Sequence, residues 1–195
     1  MSSSKDELLE ELKTSTSSGL SRVEASERRE TFNVVDPPIK CPAWICCLLP
    51  CIKSIPSMKK FREIQPEDAE ILRDGKWIRY DAAGLVRGDI IKVMEGDIIP
   101  ADCVVMSLDE NEMLVDMRTV TGEETTTSIV AEMEKLYYGG SVLQGSATAA
   151  VVAIGKNTLV SKLIQRKEFP PKVSVLPGFS EDEEAGISLI ENRLS

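Results

Sequence analysis

The residues best suited to chemistry stand together at Thr121-Gly122-Glu123-Glu124, with Thr125, Thr126 and Thr127 behind them. They close an apolar run that starts at Leu114 and passes through Asp116. Gly122 has no Cβ and reaches backbone conformations closed to other residues, so the chain can turn sharply there. A turn of that kind carries Glu123 outward on a rigid stalk, with Thr121, Gly122, Glu124 and Asp116 shaping the loop. A carboxylate presented in this way accepts a hydrogen bond from water or enters a polar cleft of another protein. A bare Thr-Gly-Glu tripeptide is an acidic β-turn, and the surrounding chain decides whether it is more.

A second group with chemical capacity is Cys41-Pro-Ala-Trp-Ile-Cys-Cys-Leu-Leu-Pro-Cys51, which holds four of the five cysteines. From Pro37 to Arg62 there is no acid, while Lys40, Lys53, Lys59, Lys60 and Arg62 are basic. One reading is a membrane-surface anchor. Thioester acylation of Cys46, Cys47 or Cys51 would supply one attachment, and Lys53, Lys59 and Lys60 would supply a second against anionic lipid. The other is a loop whose apolar residues cover one face of the domain. A zinc site ranks behind both, because the spacing lacks paired C-x-x-C units. A disulfide framework ranks behind zinc, since nothing suggests an oxidising compartment. No metal and no cofactor is expected.

The elements that must position these groups are short. The spacing predicts strands over Lys76–Tyr80, Asp89–Met94, Cys103–Ser107, Met113–Met117, Leu136–Tyr138, Ser141–Leu143 and Thr148–Ala153, punctuated by Gly and Pro. Pro66-Glu-Asp-Ala-Glu-Ile-Leu72 reads as one or two helical turns, with Pro first and acids in the first turn. Asn157–Arg166 reads as a terminal helix capped by Asn157 or Thr158, with Leu159, Val160, Leu163 and Ile164 inward. Asp89, Asp97 and Asp102 read as turn and cap residues, Asp109, Glu110 and Glu112 as a solvated hairpin loop, and Cys103 as a core residue.

Four regions follow. Residues 1–35 form a flexible polar arm, in which Asp6–Leu12 and Ser21–Glu30 are candidate short helices with Ser4 and Ser21 as caps. The linking Lys13–Gly19 is rich in Ser and Thr. Residues 36–64 are the basic Cys-rich segment, 65–167 the β domain, and 168–195 an acidic tail with Pro170-Pro171, Pro177-Gly178 and Glu181-Asp-Glu-Glu184. The tail reads as disordered, with Ile187, Leu189 and Ile190 available for docking.

Composition removes several functions. A net charge of −9 and a pI near 4.7 argue against nucleic acid, whose phosphates require a basic footprint. There is no histidine, so histidine-based catalysis and ligation are excluded. No apolar run reaches the roughly 18 residues of a membrane-spanning helix, and Met1–Glu11 is too polar for a signal peptide. The chain reads as facing the cytosol.

The ordered motifs Arg73-Asp-Gly-Lys-Trp77, Leu85-Val86, Gly88-Asp89-Ile90, Gly96-Asp-Ile-Ile-Pro-Ala-Asp102, Asp116 and Thr121-Gly122-Glu123 resemble the actuator domain of P-type ATPases. The nearest likeness is the plasma-membrane proton-pump branch. Tyr138-Gly-Gly-Ser-Val142 and Ala153-Ile-Gly-Lys-Asn-Thr158 continue the pattern, which covers about half of the chain. The resemblance implies a mainly β domain, a distorted jelly roll or double-stranded β-helix with short flanking helices. It also implies that Glu123 positions the water that hydrolyses an aspartyl phosphate. It points to a P-type pump or its phosphorylation domain as partner, at the cytosolic membrane face. Two departures stand out. Met117-Arg118 occupies the place of the family's Gln-Ser, and Glu124 that of its Ser, which adds a repelling carboxylate beside Glu123. No Asp-Lys-Thr-Gly-Thr phosphorylation sequence is present. Two functions follow: a non-catalytic module, read as a whole small protein that regulates a pump, or part of a pump whose loop drives dephosphorylation.

Overall fold

A computed structural model describes residues 2–29, 32–39, 55–109, 112–122 and 128–171. Strands β1 (Asp68–Arg73), β2 (Lys76–Asp81), β3 (Ile90–Met94), β4 (Asp102–Leu108), β7 (Lys135–Leu136) and β9 (Ser146–Ala153) form one sheet. Its order is β2-β1-β3-β9-β4-β7, with every neighbouring pair antiparallel. A smaller sheet of β6 (Ser128–Ile129), β5 (Leu114–Asp116) and β8 (Ser141–Gln144) lies with β5 at its centre. The mainly β expectation holds, and the two sheets with short flanking helices make an actuator-type jelly roll.

The core follows from period-two alternation. Ile71, Ile91, Val93, Cys103, Val105, Ala147, Ala149 and Val151 meet Val115, Met117 and Val142 of the smaller-sheet side in one buried cluster. The other face of the large sheet presents Leu72, Ile90, Met106 and Ala150.

That outer face explains a correction to the reading of Pro66–Leu72 as helical turns. The segment is β1, paired with β2 on one side and β3 on the other. Ile71 belongs to the inner cluster and its neighbour Leu72 to the outer one, an arrangement only extended backbone allows. Pro66 and the acids imitate a helix start, but burial of both faces overrides that local signal. The β1–β2 hairpin turns on Asp74-Gly75, whose φ angles of 52° and 71° suit a two-residue loop. The fifth predicted strand, Leu136–Tyr138, is shorter and starts one residue earlier, at Lys135–Leu136.

The outer face is covered by the beginning of the chain. Where the sequence reading weighed a solvated arm against short helices, the described residues form α1 (Ser2–Leu12) and α2 (Arg22–Glu27). Leu8, Leu9 and Leu12 pack on Leu72, Ile90, Met106 and Ala150. Ser4 lies inside α1 rather than capping it, whereas Ser21 caps α2 in a reciprocal box with Glu24. The linker between them is fastened as well. Arg28 donates to the carbonyls of Leu12, Lys13 and Arg87 at 2.7, 2.9 and 3.3 Å. Apolar side chains spaced for burial, not the surrounding serines, decide the behaviour of this segment.

Polar tethers complete the frame. Arg73 and Asp89 form a fully buried ion pair at 2.7 Å, and Asp89 also accepts from the Val86 amide, as expected of a turn residue. Asp97 accepts from the Met94 amide in the same manner. Asn33 donates to the carbonyls of Ala82 and Pro100 and accepts from Gly155, joining three loops.

Candidate functional site

β5 ends at Asp116, and one helical turn, α4 (Arg118–Thr121), follows before Gly122. (Helix α3, Pro56–Glu63, precedes β1, and α5, Leu159–Arg166, closes the fold.) The sequence reading ran the strand through Met117 and missed this turn, which is too short for a periodic signal. Gly122 caps it with φ 76° and ψ 10°, and its amide donates to the Arg118 carbonyl at 3.0 Å. That left-handed geometry is the conformation for which the position needs glycine.

The turn is held from beneath. Val120 is fully buried among Phe61 and Ile64 from the α3 region, Val160 and Leu163 of α5, and Tyr138. Thr121 is buried too, and its hydroxyl donates to the Met117 carbonyl at 3.1 Å. Three short helices therefore converge on one side chain at the base of the loop. Glu123, Glu124 and Thr125–Thr127 lie outside the described residues, so the structure fixes the stalk of the loop and not its tip.

Asp102 locks α5 in place. Its carboxylate accepts from the Tyr138 amide at 2.9 Å and from the Leu159 amide at 2.7 Å, a cap role the sequence predicted. Thr158 supplies the other cap through its hydroxyl, as one of the two candidates proposed. Burial pushes the Asp102 carboxyl up to about 6, opposed in part by the two amide donors. The amphipathic helix places Val160 and Leu163 inward as expected, with Leu159 and Ile164 partly buried beside them.

At the surface of the turn, Asp116 accepts from the Arg118 amide at 3.0 Å and from its guanidinium, Nη2 to Oδ2, at 2.8 Å. The Arg118 hydrogen bond is the main reason the Asp116 carboxyl lies below the usual range, and the charge of Lys60 adds a smaller pull. Lys59 and Lys60 are exposed on α3, and Lys60 pairs with Glu63 at 3.3 Å. The structure thus brings Lys60, weighed from sequence as a lipid contact, into the electrostatic surroundings of Asp116. Cys46, Cys47, Cys51 and Lys53 lie outside the described residues, as does the tail from residue 172 onward. Asp109 is not simply solvated: it pairs with Lys92 at 2.9 Å and accepts from the Ser146 hydroxyl at 2.7 Å. Among the described residues no helix is long and apolar enough to cross a membrane, and no group of three or more carboxylates or thiols is placed to hold a metal.

Comparison with known proteins adds the deciding observation. The family model of the P-type ATPase actuator domain matches residues 63–168, more than half of the chain. The chain belongs to that family. A protein of Methanocaldococcus jannaschii named as a cation-transporting ATPase is 36% identical over 108 residues, which cover 55% of this chain and 13% of that protein. An endoplasmic reticulum calcium ATPase of Aspergillus fumigatus is 38% identical over 111 residues, 51% of this chain and 11% of that one. The chain therefore spans only a small part of the length of these relatives. Among solved structures, a zinc-transporting PIB-type ATPase in the E2.Pi state aligns over 55% of this chain and 17% of its own, at TM-score 0.48 and 23% identity. The matched actuator segment begins at the end of α3 and closes just beyond α5, so it contains the whole sheet and the Gly122 turn.

Sequence reasoning named Asp116, Thr121 and Gly122 as loop-shaping residues, treated Arg118 only as a departure from the family and passed over Val120. Arg118 sits two residues beyond Asp116, a spacing suited to a local pair across a strand end. Val120 gives no signal without the knowledge that three helices meet there.

Proposed function

We propose that this chain is an actuator module that presents Glu123 to the aspartyl phosphate of a P-type cation pump. The observation that carries this reading is the anchored helical turn. Its buried Val120 and left-handed Gly122 give a Thr-Gly-Glu sequence, in a member of the actuator family, a rigid point of departure. In this reading Glu123 accepts a hydrogen bond from a water and orients it in line with the phosphorus. The water oxygen forms the new P–O bond as the bond to the partner's aspartate breaks, and the proton that the water gives up passes to the Glu123 carboxylate. Phosphate leaves, and the aspartate carboxylate is restored. The work is positioning and electrostatics, and the phosphoryl group is the partner's.

We take the module to act in trans at the cytosolic face of a membrane, as a non-catalytic regulator when alone. The 195 residues contain no acceptor Asp-Lys-Thr-Gly-Thr sequence, and Glu124 adds repulsion beside Glu123. The Arg73–Trp77 motif favours the proton-pump branch as its nearest kin. Residues 36–64 would supply the membrane attachment through Cys46, Cys47 or Cys51 and the neighbouring lysines. A second reading is that the module is a piece or subunit of a cation-transporting ATPase whose loop drives dephosphorylation. It is favoured by the small share of each relative that the match spans.

Capture from membranes tests the first reading. Wild-type chain should retain a pump whose phosphoryl site is held by beryllium fluoride, Glu123→Gln should retain less, and labelled ATP should leave no hydroxylamine-labile phosphate on the chain itself. Acyl phosphate on the pure chain would overturn the non-catalytic reading. Replacing Cys46, Cys47 and Cys51 together with Ser should release the chain into the soluble fraction, and full membrane retention would refute the acyl anchor.

A further inference from the structure

The side of the turn that faces solvent carries a cation in place of the family's Ser. Arg118 opens α4, and the amide of Gly122 bonds to its carbonyl. The two residues stand four apart on one helical turn, where positions share a face. The Arg118 side chain stands at the start of the turn that leads into the Thr-Gly-Glu sequence and reaches back to Asp116. It is half exposed, yet it is not free to wander. Nε lies 3.1 and 3.2 Å from the two Asp116 oxygens, and Nη2 lies 2.8 Å from Oδ2. Asp116 is itself fixed as the last residue of β5, the central strand of its sheet.

One edge of the guanidinium is consumed in this way, and the other is not. Nη1 meets no acceptor among the described residues. A planar fork held along one edge is oriented before any ligand arrives, so little conformational freedom is lost when the other edge binds. Its geometry matches the oxygens of a phosphoryl group. Lys60, paired with Glu63, adds a small favourable charge at Asp116. In a chain of net charge −9, with Glu123 and Glu124 next in sequence, this local positive edge runs against the overall balance.

We propose that Arg118, pinned by Asp116 at the base of the loop, is a phosphoryl-recognising residue of this site and contacts the non-bridging oxygens of the partner's aspartyl phosphate. The proposal rests on the actuator reading above and adds a residue to it.

The test uses the full chain and the soluble phosphorylation and nucleotide-binding fragment of a P-type calcium pump. The fragment is prepared with magnesium and beryllium fluoride, which mimics the phosphoryl group, or without them. Wild type should prefer the loaded fragment. Arg118→Gln should bind the loaded fragment about tenfold more weakly, with its affinity for the unloaded fragment unchanged. Arg118→Lys keeps the charge but not the fork and should fall between the two. Asp116→Asn, which frees the guanidinium, should also reduce the preference, an effect that charge alone does not predict. Melting curves establish that each variant is folded, and if Arg118→Gln is not, Arg118→Lys carries the decision. A folded Arg118 variant that discriminates as well as wild type overturns this proposal and leaves the actuator reading standing. A wild-type chain that binds both fragments equally overturns both.

Discussion

Asp102 is one carboxylate holding two backbone amides, one beyond β7 and one at the start of α5, and its surroundings make its charge costly. It accepts from Tyr138 and Leu159 while buried, and burial raises it to about 6 from an ordinary value near 3.8. A carboxyl whose folded value lies above its unfolded one binds protons more tightly in the folded state. Its contribution to stability is complete below the unfolded value and is lost as pH rises through about 6. Asp102→Asn removes this titration and sets its amide against one of the two N–H donors. The variant should be less stable than wild type, and the gap should narrow between pH 4 and 7 by up to about 3 kcal/mol. Urea unfolding at several pH values measures it, and a gap that stays flat or widens contradicts the assignment. The cap role of Asp102 was legible because an Asp beside a strand start has few other uses. The buried partnership of Arg73 with Asp89 was not, since the pair closes only when β1 and the turn before β3 are already folded together.

Elements show most sharply where local pattern and long-range packing disagree. β1 was misread because Pro and acids at its start satisfy the helix code, whereas its two-faced burial depends on partners on both sides. The terminal helix was legible because its period, its Thr158 cap and its apolar stripe agree. α1 lies between these cases. The run Leu8-Leu9-Glu10-Glu11-Leu12 suggests a helix, but only the apolar row of Leu72, Ile90, Met106 and Ala150 on the sheet explains why it docks. Leu12 is almost completely buried there, with its carbonyl held by Arg28. Leu12→Ala should therefore cost about 2–4 kcal/mol and speed hydrogen exchange through α1 ahead of the central strands. Unchanged exchange in α1 would mean that the helix does not depend on this contact. The same logic explains the loop: α4 is invisible to periodicity, yet Val120 makes it the point where three helices meet.

Over the whole molecule, two antiparallel sheets form a rigid body, an N-terminal helical strap closes its outer face, and a second apolar cluster at one end sets the Thr-Gly-Glu turn. The chain belongs to the actuator family, and the match begins and ends with that body. The overall architecture could be read from strand spacing and ordered motifs, because each Gly and Asp marks a turn whose bonds are local. The anchoring of the candidate site could not, because it comes from residues scattered between Val35 and Phe169. The central claim is that the body exists to present Glu123 to a phosphoryl group, and the most direct measurement is the decay of a preformed aspartyl phosphate. The phosphorylation and nucleotide-binding fragment of a P-type pump, phosphorylated and then freed of ATP, is mixed with saturating wild-type chain or with Glu123→Gln. The account predicts that wild type shortens the phosphoenzyme lifetime by about tenfold or more, the scale of a positioned water, and that Glu123→Gln leaves it as it is without any chain. A lifetime altered equally by both proteins, or by neither, would contradict the account.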